Sequence, residues 1–209
     1  RLAGRGAMLR DPSLSNAGLG IGGGSRLGKN TALTDDQLRE VLLKAEKQGR
    51  PGMAALLNLE RWLGLRGAEA IHARSDTLNR WLAELESGGK IEVIEGTKGG
   101  RRRFVTVKLL DPAKEAVREA IGVAEGQGGF LVVRADGSAS GGLKQARSIY
   151  HAWMHRSGIK PHAARYAFVR DQVRAYAQKL SLREAYIAVS HDLGHGSGRS
   201  RWVRSVYMR

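Results

Sequence analysis

Late in this chain stand Pro161-His162-Ala163-Ala164-Arg165, Leu193-Gly194-His195 and Tyr207, a phenol in the same segment as groups suited to hold phosphate. Two earlier runs join them: Gly64-Leu65-Arg66-Gly67-Ala68-Glu69, and Gly96-Thr97-Lys98-Gly99-Gly100 with Arg101, Arg102 and Arg103 behind it. Attack on a phosphodiester gathers negative charge on the nonbridging oxygens, and fixed cationic donors aimed there stabilise the transition state more than the ground state. Arginine suits this task, because its planar fork makes bidentate contacts to phosphate and keeps its proton at working pH. The pattern points to DNA strand cleavage in which Tyr207 attacks while Arg66 and Arg165, from different helices, clamp the phosphate.

The neighbouring residues fit around that step. His162 and Arg165 are three apart, so one helix is expected to point them the same way. Glu69, three after Arg66, braces its guanidinium. Lys98, at the tip of a turn, is placed to protonate the leaving 5′ oxygen, with Arg101, Arg102 and Arg103 following the duplex backbone. His195 donates a hydrogen bond to phosphate. A phenol has an ordinary pKa of about 10, so Tyr207 needs the field of Arg66, Arg165, His162 and His195 to lose its proton.

Plainer readings stand beside these. With 35 Lys and Arg in the chain, most are solvated surface charges. A Thr-Lys-Gly-Gly run is commonly just a turn, and Tyr150, Tyr166, Tyr176 and Tyr186 read as half-buried helical aromatics. His191 and His195 have the spacing of a zinc pair, but Asp192 stands where glutamate belongs, Gly194 weakens the helix and no third ligand is evident. No metal site is therefore expected.

The elements that must position these groups follow from periodicity. Thr34 and Gln37 form a capping box, with Leu33 and Leu38 as a hydrophobic staple, opening a helix that runs to Gln48 and stops at Gly49 and Pro51. Helices are expected over Met53–Leu63, from Ser75-Asp76 to Gly88-Gly89, and over Pro112–Ala124, Leu143–Arg156, His162–Leu180 and Leu182–Ser190, with a short last one over Arg201–Tyr207. Ile91–Ile94 and Phe104–Val107 alternate as strands around the Lys98 turn. The fold class is mainly α with a small antiparallel β-hairpin. The Gly, Ser and Arg segment from Gly196 to Arg201 is expected to let the last helix swing.

Residues 1–30 read as a flexible basic leader and 31–209 as the catalytic domain. Gly18, Gly20 and Gly23 imitate a dinucleotide motif, and Gly23 through Lys29 a Walker loop, but neither follows an apolar strand. A first residue of arginine suggests that the sequence begins inside a longer protein. The net charge of +15 favours a polyanionic partner, nucleic acid ahead of an anionic membrane surface. No apolar run is long enough to insert in a membrane, and the absence of cysteine excludes disulfides and thiolate chemistry. Cytoplasmic residence is the default.

Taken in order, Gly64-Leu65-Arg66-x-x-Glu69, Gly96-Thr97-Lys98-Gly99-Gly100-Arg101, His162-x-x-Arg165, Leu193-Gly194-His195 and Tyr207 resemble the catalytic domain of tyrosine recombinases, especially prophage and integrative-element integrases. The resemblance runs from about Leu33 to Tyr207. It implies a site-specific, metal-free and cofactor-free recombinase that works on double-stranded DNA as a homo-oligomer, a tetramer, through a 3′-phosphotyrosyl bond to Tyr207. It also implies that Arg66, Lys98, His162, Arg165 and His195 complete the catalytic set, with Glu69 as their support. Tyr207 lies 12 residues after His195, about one helical turn beyond the usual spacing, and the chain ends two residues later, where relatives continue into a tail. The helical DNA-clamping domain that precedes the catalytic one in relatives is not visible, so weak DNA binding is expected. Type IB topoisomerase chemistry, a DNA binder of the same fold without catalysis, and a basic RNA-associated module are the competing readings.

Overall fold

A computed structural model describes residues 31–208; the leader expected over residues 1–30, with its two phosphate-motif imitations, lies outside the described residues. Thr34 opens α1 (Asp35–Lys47) as its spacing suggests: Thr34 Oγ1 accepts from Gln37 N at 3.2 Å, and Gln37 Oε1 accepts from Thr34 N at 3.0 Å. Leu33 and Leu38 are both buried beside this cap. Pro51 is no stop. It takes the first turn of α2 (Pro51–Leu63), where a missing N–H leaves no bond unmade.

The other helices are α3 (Gly67–His72), α4 (Ser75–Gly88), α5 (Leu110–Gly126), α6 (Leu143–Arg156), α7 (Ala163–Ala177), α8 (Leu182–Asp192) and α9 (Ser200–Tyr207). Between α4 and α5 the antiparallel pair β1 (Lys90–Val93) and β2 (Arg103–Thr106) sets Ile91 opposite Val105 and Val93 opposite Arg103. Both strands start one residue earlier than the alternation suggests. The described residues are thus mostly helical with one small two-stranded sheet, as expected. No described helix is long and apolar enough to cross a membrane.

Two helices form the centre. α2 is buried on nearly every side and packs against α1, α3, α5 and α7, while all of Ala163–Val169 in α7 is buried. Arg61 of α2 pins this centre by pairing with Asp171 of α7 at 2.5 Å and Asp35 of α1 at 3.4 Å. On the other side, the indole of Trp81 in α4 donates to Glu92 O in β1 at 2.8 Å and fastens the hairpin to the helices. The hairpin turn holds a single 3-10 turn, Lys98–Gly100, with Lys98 exposed.

Candidate active site

The Leu193-Gly194-His195 run ends α8 in a specific way. Gly194 is left-handed (φ +73°), its N–H bonds His191 O at 2.8 Å, and His195 N–H bonds Ser190 O at 2.9 Å. This pair of bonds satisfies two of the free carbonyls at the helix end. The carbonyls of Asp192 and Leu193 remain, at the negative end of the helix dipole. Three arginines take them. Arg103 Nη1 donates to Asp192 O, and Leu193 O accepts from both Arg66 Nη2 and Arg165 Nη2 at 3.1 Å. A Cβ on residue 194 would stand 3.0 Å from Arg103 Cδ, so glycine serves both the turn and this approach.

A second helix end meets the first. Gly64 caps α2, and its carbonyl accepts from Arg165 Nη1 at 2.5 Å and Arg103 Nη2 at 3.2 Å. Between the three guanidiniums lies Glu69, 1% exposed. It accepts from Arg66 Nη1 (2.5 Å), Arg103 Nη2 (2.6 Å) and Arg103 Nε (3.1 Å), and stands 3.7 Å from Arg165 Nη1. It also bonds Arg66 N at 2.7 Å, capping α3. Burial opposes its ionisation, yet the Arg103, Arg165 and Arg66 charges outweigh burial and hold its carboxyl down at about 2. One carboxylate against three guanidiniums leaves the cluster cationic. Arg165 is 1% exposed and Arg66 keeps 21% of its side chain in solvent, so Arg66 is the open face of the pair.

His195 and Tyr207 stand against the same cluster. Burial first, then the charges of Arg165, Arg66, Arg199 and Arg103, push the His195 imidazole down to about 4, so it is neutral at physiological pH. Its Nε2 is buried and has no hydrogen-bond partner, while its ring meets Trp202 edge-on at 5.1 Å. Tyr207 is 5% exposed, with ring centroids 4.4 Å from Tyr166 and 5.3 Å from Trp202. Its phenol is within electrostatic reach of Arg165, whose own pKa burial and the Arg103 charge lower to about 10. The hairpin that carries Lys98 meets α3 at Gly96, where a Cβ would come within 2.4 Å of Ala68 O, while Lys98 itself is exposed at the turn.

Several expectations change. Arg103 does not lie along a DNA surface with Arg101 and Arg102: it is 6% exposed, turned inward by the strand alternation, and its donors are spent on Glu69, Gly64 and Asp192. Arg101 and Arg102 are exposed, with Arg102 paired to Glu92 at 3.2 Å. His162 and Arg165 do not share a helix face, because α7 begins at Ala163 and His162 precedes it in a left-handed conformation (φ 69°), exposed while Arg165 is buried. That backbone is uncommon for a side-chain-bearing residue. The Gly196–Arg201 segment contains a 3-10 turn (Ser197–Arg199), and Val203, Val206 and Tyr207 are buried, so α9 is docked rather than swung out. Tyr150 and Tyr166 are fully buried, not half-buried.

Three participants had no sequence signal strong enough to single them out. α3, at six residues, is too short to show a helical period. Asp192 bonds Thr106 N at 3.0 Å and the Tyr176 hydroxyl at 3.1 Å, tying α8 to β2 and α7. Glu60, inside α2, lies beneath Gly67, where a Cβ would come 3.2 Å from its Oε1. The glutamate in an apolar helix was the visible hint.

The integrase family model matches residues 20–171, a span that holds Arg66, Glu69, Lys98, His162 and Arg165 and stops short of His195 and Tyr207. No curated protein and no solved structure matches the chain. With nearly three quarters of its length matched, the chain belongs to the integrase family, whose work is DNA integration and recombination.

Proposed function

We propose that the chain is a site-specific recombinase of the tyrosine type, acting on double-stranded DNA without metal or cofactor. Tyr207 Oη attacks the scissile phosphorus and forms a 3′-phosphotyrosyl bond as the bond to the 5′ oxygen breaks. Lys98 gives that oxygen its proton, and the phenol's proton leaves to solvent. A 5′ hydroxyl from a partner strand then attacks phosphorus and releases the phenol. Exchange between two duplexes involves several active sites, which a homo-tetramer on DNA supplies.

The observation that carries this reading is the meeting of Arg66 and Arg165 on the one Leu193 carbonyl around Glu69, with His195 and Tyr207 beside them. The cluster is pre-set by helix-end carbonyls, so little reorganisation is needed as charge builds on the phosphate. A neutral His195 whose buried Nε2 has no partner is able, as the Nε2–H tautomer, to donate to a nonbridging oxygen. His162, outside the first turn of α7, is a further donor to that phosphate. Arg165 is 1% exposed and Arg66 keeps 21% of its side chain in solvent, so Arg66 is the donor that meets the phosphate first.

Incubation with a nicked duplex tests this. The wild-type chain should retain labelled DNA covalently in the presence of EDTA, and Tyr207→Phe should retain none. Arg66→Ala and Arg165→Ala should each lower the yield by about 10²–10³-fold, the range for loss of one transition-state donor. An adduct that survives in Tyr207→Phe, or is lost with EDTA, refutes the mechanism.

A further inference from the structure

Away from the Glu69 cluster, a trough runs between the start of α2, the 127–142 connection and the end of α6. It consists of two adjoining cavities of about 440 and 360 Å³, and Arg50 and Arg156 line both. Arg134 lines the larger and Lys44 the smaller, and no carboxylate lines either. These four cations come from four places in the fold, yet none forms an ion pair among the described residues, whereas Arg61, Arg66, Arg103 and Arg165 all do. Arg134 donates to the amide oxygen of Gln145 at 3.2 Å and lies within electrostatic reach of Asp136 without an ion pair, and Lys44 donates to the carbonyl of Arg156 at 3.2 Å. The Ser157 hydroxyl in the trough wall is buried without a hydrogen-bond partner.

Like charges gathered in a concave surface repel one another, and the fold accepts that cost with no carboxylate lining the trough to offset it. A bound anion would remove the cost. We propose that this trough is a second phosphodiester-binding site, holding the backbone of duplex DNA away from the cleavage position. It rests on the family reading that the chain works on DNA. α2 connects the two sites: Arg50 precedes its first residue and Gly64 follows its last, and thirteen helical residues span about 20 Å. That distance corresponds to about six nucleotides of one strand at its rise of about 3.4 Å. Guanidiniums suit the ligand, since each can fork onto one phosphate.

The test is the salt dependence of binding to a mixed-sequence duplex of about 30 base pairs, read for the whole chain, for the triple variant Arg50→Gln, Arg134→Gln and Arg156→Gln, and for the matching triple lysine variant. Loss of three phosphate contacts should lower the slope of log K against log salt by about two to three, and the lysine variant should keep it. Thermal melting of both variants should match the wild type, since no ion pair is lost. Adduct yield on saturating nicked DNA separates this proposal from the cleavage mechanism: the glutamine variant should keep its yield. An unchanged slope in a folded glutamine variant overturns the trough, whatever Tyr207 does, and leaves an acidic protein segment as its occupant.

Discussion

At the scale of single residues, two buried glutamates on either side of Gly67 behave oppositely. Glu69 is surrounded by guanidiniums and stays ionised; Glu60 lacks such company. Burial pushes the Glu60 carboxyl up to about 7, with Tyr150 and Arg165 opposing and Glu69 adding to the rise. Tyr150 Oη beside it has no hydrogen bond of good geometry, and burial and Glu60 push its phenol well up. Since the folded value lies above the unfolded 4.5, Glu60 draws a proton into the folded chain and stability falls as pH rises from 4.5 to about 7. His195 works the other way, its folded value of about 4 lying below the ordinary 6.5, so stability rises with pH across that window. The two offset each other over much of the same range. Glu60→Gln should therefore gain relative to wild type as pH rises from 5 to 8, by about 3 kcal/mol on the scale of 1.4 kcal/mol per pKa unit. Urea unfolding at the two pH values reads this difference, and a gain that does not grow with pH contradicts the assignment.

At the scale of elements, the site is made by helix ends rather than by helix faces. The C-termini of α2 and α8 converge, and their unsatisfied carbonyls hold the arginines that Glu69 neutralises only in part. Gly194→Ala tests this construction, because it strains a left-handed residue by about 1–2 kcal/mol and crowds Arg103 at 3.0 Å. It should lower the melting temperature and cut adduct yield more than DNA affinity; equal losses of the two would make Gly194 a general stability residue. The sequence made the helices legible where caps and periods were strong, as at Thr34 and Gln37, and α6 runs Leu143–Arg156 as read. Arg66 and Arg165 were legible as types and spacings. Arg103 was not: three consecutive arginines look alike in sequence, and only the strand register turns the third inward. His162 was misread for a similar reason, since a spacing of three implies one face only if both residues are inside the helix.

At the scale of the whole molecule, a net charge of +15 is divided between cations that the fold consumes and cations that it leaves open. Arg61, Arg103 and Arg165 are interior, bonded to carboxylates and carbonyls, and organise the centre. Lys98, Arg101 and the Arg50–Arg156 trough face solvent, where a polyanion can release counterions by binding. The interior group gives the outer group a rigid frame, and α9 brings the phenol to the frame from the same chain. The direct measurement is peptide mapping of the protein after trapping on a nicked duplex. The account predicts that the nucleotide is attached to the peptide containing Tyr207; attachment at Tyr150, Tyr166, Tyr176, Tyr186 or a serine would contradict it.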